Sequence, residues 1–410
     1  MAKRGASTVV PRLRFPEFRG VGEWEKKKLD DCLDYLQPTK YLVSGTNYND
    51  AYQTPVLTAG KTFVLGYTNE NSGIFSQGLP VIIFDDFTTA SKFVDFPFKA
   101  KSSAMKILQA KDGASIKFMY EAMQMISYEV GAHERHWISK FAPMPVLVPH
   151  PIEQKKIADC LTSVDEVIAA QGRKVEALKA YKRGLMQQLF PREGETRPRL
   201  RFPEFRNIPQ WKETPLGELV DLLSGFPFDG KDIVEDSTGE RLMRGINITE
   251  GVIRHNDEMD RYYLGTTEGL EKYRLAANDL VIGMDGSKVG KNSALVTEKD
   301  AGALLVQRVA RLRAKSLPLI NFIFHQIHSP RFHSYVDRIN TSSGIPHISA
   351  MQIKEYSIHS TSELEQQRIA DCLSSLDSQI TAESNQLVTL KAHKQGLMQQ
   401  LFPAPESASA

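Results

Sequence analysis

The chain has 410 residues, and at roughly 100–200 residues per domain this length predicts two or three domains rather than one. With 41% hydrophobic and 24% charged residues, the composition is that of a soluble globular protein and excludes disordered or fibrous classes. No run approaches the roughly 18 apolar residues of a membrane span, the opening MAKRGASTVV lacks a signal peptide's apolar stretch, and a cytoplasmic protein with no membrane partner is expected. The formal net charge of +2 is silent about nucleic acid, because phosphate binding needs a local patch.

In chain order, the first recognisable segment is the lead-in RLRFPEF at Arg12–Phe18, which recurs at Arg199–Phe205. At the same offset Trp24 falls on Trp211 and Leu29 on Leu216, so residues 12–29 and 199–216 are copies of one unit. From Leu29 to Pro149 the chain shows strand-like runs such as LPVIIFDDFTTASKFVDF, broken by glycine and proline, with a helix expected around Ile116–Val130.

A longer repeat follows. Residues 152–191 match 364–403 at 23 of 40 positions, sharing EQ..IADCL near the start and GLMQQLFP at the end. Counting sevens gives an a/d seam of Leu161, Val164, Ile168, Val175, Leu178 and Leu185, with Leu189 at its end. The second copy repeats it with Leu373, Leu376, Ile380, Leu387, Leu390 and Leu397, then Leu401. Its polar breaks, Gln171/Glu383 and Lys182/Lys394, also fall at equivalent places, which predicts two helices of about 33 residues packed against each other in fixed register. Pro191 and Pro403 end them.

Between the repeats, YRLAANDLVIGMDGSKVGKNSALV and ALLVQRVARLRA again read as strands, with a helix around Leu319–Arg338. Trp137-Ile138-Ser139 is faintly echoed by His347-Ile348-Ser349. The three cysteines, Cys32, Cys160 and Cys372, form no Cys-x-x-Cys pair and read as small buried apolar residues. The fold class expected is mixed α/β (α+β): two domains with antiparallel sheet, separated by two long antiparallel coiled-coil helices. The boundaries are 1–150, 151–191 (spacer helix 1), 192–363, 364–403 (spacer helix 2) and a disordered tail at 404–410.

The paired lead-ins RLRFPEF...W, LEQQRIADCL, GLMQQLFP and SGIPHIS (Ser343–Ser349) together make the chain resemble the specificity subunits of type I restriction-modification systems, over essentially its whole length. The resemblance implies two target recognition domains, each reading one half of a split, asymmetric site in double-stranded DNA. It implies helices that set the gap and dock two methyltransferase subunits, with restriction subunits joining the full complex. No cofactor is then expected in this chain; S-adenosylmethionine, ATP and magnesium belong to partners, and the chain is not itself an enzyme. Base reading needs paired hydrogen-bond donors and acceptors, and register needs cations on phosphates. The candidates of the first domain are Lys61, Lys92, Lys99, Lys101, Lys106, Arg135, His136 and Trp137. Those of the second are Arg241, Arg244, Lys288, Lys291, Ser343, His347 and Ser349, with the DGSKVGK loop and SGIPHIS favoured. Val167 and Tyr181 lie on the helices outside the seam and suit docking of a partner.

Catalytic readings fail on spacing. GMDGSKVGKNS has Gly286 too close to Gly290 for a P-loop, and Asn292 follows Lys291 where Ser or Thr is required. His325, His328 and His333 read as structural rather than metal ligands, and Asp85-Asp86 as a strand-end turn rather than a nuclease pair. No Asn-Pro-Pro-Tyr-like methyl-transfer motif occurs. The competing explanations are a duplicated coiled-coil scaffold that assembles proteins and a self-contained nuclease of another restriction class. Divergent domains between near-identical spacers weigh against the first, and missing motifs against the second.

Overall fold

The computed structural model describes residues 10–58, 60, 62–128, 135–340 and 345–403, so Lys61, Ser343 and the 404–410 tail lie outside the described residues. The repeats form two helices of 39 residues each, Pro151–Leu189 and Glu363–Leu401. Each ends two residues before the proline that closes its repeat, as expected where proline cannot continue a helix. They exceed the expected length at their N-terminal ends, where Glu153, Gln154 and Ile157, and likewise Glu365, Gln366 and Ile369, are already buried.

The chain forms two compact units, residues 1–172 with 385–410 and residues 173–384, and each long helix begins in one and ends in the other. In the first unit Ile157 and Leu161 share a core with Met398, Leu401 and Phe402. In the second, Ile369 and Leu373 share one with Met186, Leu189 and Phe190. The start of one helix therefore packs beside the end of the other in both units, which makes them antiparallel. Among seam positions Leu161, Val175 and Leu373 are buried, and Val164, Ile168, Leu178, Leu185, Leu376, Ile380, Leu387, Leu390 and Leu397 are half-buried.

Three of the polar breaks in the seam, Lys182, Glu383 and Lys394, form ion pairs. Lys394 Nζ lies 2.7 Å from Asp165 in the first unit. In the second, Lys182 meets the equivalent Asp377 at 2.5 Å, and Lys174 meets Glu383 at 2.5 Å.

The lead-ins are tied to the helices by a second duplicated contact. Arg14 Nε and Nη2 donate to both oxygens of Glu153 at 2.7 and 2.6 Å, while Nη1 donates to the carbonyl of Val21. Arg201 does the same with Glu365 and the carbonyl of Ile208. A planar guanidinium matches a carboxylate with two parallel bonds, which fixes the lead-in's direction as well as its position.

Each unit is built on a four-stranded antiparallel sheet. In the first its order is Leu33–Leu36, Met105–Ala110, Val81–Asp85, Ser91–Val94. In the second it is Val220–Ser224, Val309–Ala314, Leu280–Gly283, Ser293–Leu295. The order is the same in both. The central strands are mostly apolar because both faces are covered. Ile82, Phe84 and Leu108 face a helix (Ile116–Gln124) and Trp24, whereas Val81, Ile83 and Ile107 face a smaller sheet formed by Thr54–Leu57, Val64–Thr68 and Lys99–Ala100. In the second unit Leu280, Ile282 and Leu312 face Trp211 and Phe322, and Val281 and Val309 face the other way.

Two pairings depart from the antiparallel expectation: Thr54–Leu57 runs parallel to Lys99–Ala100, and Glu240–Met243 parallel to Leu304–Leu305. The helix expected near Leu319–Arg338 is two helices, Leu317–Ile327 and Pro330–Ile339. Pro330 has no N–H for a continuing helix, and Ser329 caps the new one by accepting from the Phe332 amide. The expected helix in the first unit spans Ile116–Gln124.

Candidate nucleic-acid interface

In the first unit the strand Val81–Asp85 ends in a turn made by its own acids. Asp85 Oδ1 accepts from the amides of Phe87 and Thr88, the Asx geometry of a strand-end turn. Asp86 is 1% exposed and acts as a hub: its carboxylate pairs with Lys106 at 3.3 Å and accepts from the Trp137 amide at 2.8 Å. Its carbonyl accepts from the His136 amide.

This geometry corrects four of the sequence candidates. Lys106 is buried against Asp86, and Lys99 is buried with its ammonium on Glu70 and the Ser72 carbonyl, so neither presents a charge to solvent. Trp137 is a core residue packed edge-on against Phe84, and His136 is buried with Nδ1 3.2 Å from the Tyr128 hydroxyl. Lys92 and Arg135 are exposed, and Lys101 is half-buried over the Tyr48 ring.

In the second unit the two favoured segments come together. Asp285 bridges to His347, the Gly286 amide donates to the Pro346 carbonyl, and the Ile348 amide donates to Met284. His347 and Lys288 are exposed there, and Ile345 is 76% exposed. Lys291 is held by Asp337 at 3.2 Å. Ser349 caps the helix Ala350–Glu355 through a capping box with Gln352, so its hydroxyl is committed to the backbone. Arg241 and Arg244 donate to the carbonyls of Lys299 and Met259.

The glycine-rich loop is not an anion cradle. The amides of Gly286, Val289, Gly290, Lys291 and Asn292 all donate to carbonyls within the unit. Gly290 is required instead by its backbone, φ +69°, and by a Cβ position 2.8 Å from Val336.

The faint echo between the domains is out of step by two residues. The His136 amide bonds the Asp86 carbonyl as the Ile348 amide bonds the Met284 carbonyl, so His136 corresponds to Ile348. Sequence reasoning also missed Arg308. It adopts φ 67°, carries a side chain 64% exposed, and donates from Nη1 to Asp285 at 2.8 Å.

The three histidines of the second unit are packed, not poised. Burial first, then the charge of Lys182, holds His325 well below its usual pKa, and burial likewise depresses His328 and His333. Among the described residues no group of three or more His, Cys, Asp or Glu side chains stands where it could hold a metal, and no helix is long and apolar enough to cross a membrane.

Two units with one scaffold, different loop ends and a shared pair of long helices define a duplicated recognition module. Residues 209–392 match the family described as type I restriction modification DNA specificity domain. The chain is 49% identical over 139 residues to the EcoR124I/EcoR124II specificity subunit of Escherichia coli, an alignment covering 33% of this chain and 34% of that one. It is 22% identical to the MjaVIII specificity subunit of Methanocaldococcus jannaschii, across 95% of this chain and 93% of that one. The solved S subunit of the type I restriction-modification system of M. genitalium has the same fold, with TM-score 0.63 at 14% identity, covering 97% of this chain and 100% of that one. A chain from a structure concerning assembly and conformational transition of the type I R-M system gives TM-score 0.53 at 13% identity, covering 92% and 97%. Residues 209–392 thus match a type I restriction modification DNA specificity domain, and the relatives the chain resembles are specificity subunits of such systems.

Proposed function

We propose that this chain reads DNA sequence for a type I restriction-modification complex, each unit reading one half of a bipartite, asymmetric site in double-stranded DNA. The observation that carries this reading is the repeated sheet order with divergent loop ends: Asp85–Thr89 in the first unit against Asp285–Lys291 with Ile345–Ser349 in the second. A shared scaffold with different surfaces is what reading two different half-sites requires. The first unit offers Lys92, Lys101 and Arg135 to DNA, and the second Lys288, Lys291 and His347.

The long helices set the gap between half-sites and dock two methyltransferase subunits. Val167 and Tyr181 support the docking role, being apolar side chains 52% and 61% exposed on the first long helix. Restriction subunits complete the assembly, and S-adenosylmethionine, ATP and magnesium are bound by those partners. The chain itself is the non-catalytic subunit and works in the cytoplasm.

The test is methylation mapping in a host without its own systems, expressing this chain with its methyltransferase. A bipartite motif with a fixed gap is expected. Four residues inserted near Gly172, about one helical turn, should lengthen the gap and leave the bases unchanged. Co-purification of both proteins without any motif would instead favour a protein-assembly scaffold.

A further inference from the structure

We infer that Arg308 is a guanine-reading side chain of the second unit, aimed by Asp285; this deepens the DNA-reading function proposed above and rests on it. The argument begins with the backbone. Arg308 adopts φ 67°, a left-handed conformation that non-glycine residues rarely hold unless their surroundings enforce it.

Three contacts enforce it. The Met284 amide donates to the Arg308 carbonyl, the Gln307 amide to the Phe226 carbonyl, and the Gly225 amide to the Val309 carbonyl. Gly225 lies so close beneath the turn that a Cβ there would sit 2.1 Å from the Val306 oxygen. The turn is thus fixed before any ligand arrives, while the side chain it carries projects 64% exposed.

Asp285 then fixes the guanidinium's orientation. It accepts from Nη1 at 2.8 Å, and Nε and Nη2 make no hydrogen bond among the described residues. That remaining edge is a planar pair of donors, which matches the O6 and N7 acceptors that guanine presents in the major groove. Asp285 is itself bridged to His347, so the aiming carboxylate belongs to the loop pair already described.

The comparison between units supports a reading role over a scaffold role. In the first unit the Asp86 amide donates to the carbonyl of Ala104, the bond that Met284 makes to Arg308 in the second. The scaffold contact is the same in both units. The side chain differs, a methyl group against an aimed fork of donors, and packing has no need of that difference.

The experiment is methylation mapping with the full-length chain and its methyltransferase, comparing wild type with Arg308→Ala, Arg308→Lys and Asp285→Asn. Both Arg308 variants are expected to relax one guanine position in one half-site, lowering discrimination there roughly ten- to a hundredfold, with every other position and the gap unchanged. Asp285→Asn should relax the same position less. An unchanged motif in Arg308→Ala would overturn the assignment while leaving DNA reading intact. Uniform loss of methylation at all sequences, or full stringency in Arg308→Lys, would overturn it by making Arg308 a phosphate contact. A wild type with no motif would remove DNA reading itself, and the assignment with it.

Discussion

Arg14 and Glu153 lie 139 residues apart and meet through two parallel hydrogen bonds in a site where their side chains are 7% and 1% exposed. The same contact joins Arg201 to Glu365 in the other unit. A buried pair of this kind contributes little net stability, but removing one partner strands a charge. Arg14→Met or Glu153→Leu alone should destabilise the first unit by about 3–5 kcal/mol, and the double variant by clearly less. Urea unfolding with a coupling analysis of the two variants checks this.

Phe402 packs edge-on to Trp24 at 6.2 Å and against Phe118 at 5.3 Å, and Phe190 stands likewise against Trp211 and Phe322. Phe402→Ala should cost the first unit about 3–5 kcal/mol, and Phe190→Ala the second. Hydrogen exchange resolved by peptide should show each loss of protection confined to its own unit, including the distant helix end that completes it.

Acid should loosen the first unit through Asp165. Burial pushes this carboxyl up, but the ammonium groups of Lys117 and Lys394 more than offset that, so its pKa lies below the ordinary value. Its stabilisation is present above the unfolded value of about 3.9 and is lost as pH falls through the lower folded value. Asp165→Asn should therefore be less stable than wild type at neutral pH, with a gap that closes in the acid range of a melting series.

The second unit should weaken earlier. His325 is fully buried, and burial followed by Lys182 holds its pKa far down, so the folded unit carries it neutral. The unfolded chain takes up a proton below about pH 6.5. Stability is thus full above that value and falls below it, by up to about 1.4 kcal/mol per pH unit for this group. His328, His333 and His359, depressed mainly by burial, act in the same direction. Melting between pH 7 and 5 should show a falling transition in the second unit, with a shallower slope in His325→Gln.

Gly225→Ala should destabilise the second unit by more than about 1 kcal/mol, because the new Cβ meets the Val306 carbonyl rather than a movable side chain. Thermal unfolding checks it. DNA binding by the surviving folded protein should lose stringency as the Arg308 turn shifts.

The antiparallel helices were legible because they are written twice. Leu161 and Leu373 occupy one position of a repeat, and a periodic seam survives even where Lys182 and Lys394 interrupt it. Those interruptions read as costs until Asp377 and Asp165 appear opposite them. The surface cations were much less legible. Lys99 and Lys106 look like any exposed lysine in a strand-rich stretch, and only folding brings Glu70 and Asp86 to them. Trp137 drew notice as an aromatic beside Arg135 and His136, yet Phe84 claims it for the core. A signal for the Arg14–Glu153 tie was available, since both residues sit at duplicated positions in separately repeated segments. Arg308 had none, because its importance lies in a backbone angle and a glycine more than 80 residues earlier.

The division of the chain also dictates an order of manufacture. The second unit is one continuous stretch, 173–384, whereas the first needs Met398, Leu401 and Phe402 to fill its core. As the polypeptide leaves the ribosome, the half made first must wait for residues 398–402 to emerge. At about 5–20 residues per second that delay is roughly 10 to 50 s. The half made second can close before it. Throughout that interval Trp24 and Phe118 lack the ring of Phe402 that covers them, so a nascent chain stalled before Met398 should be the species that chaperones hold.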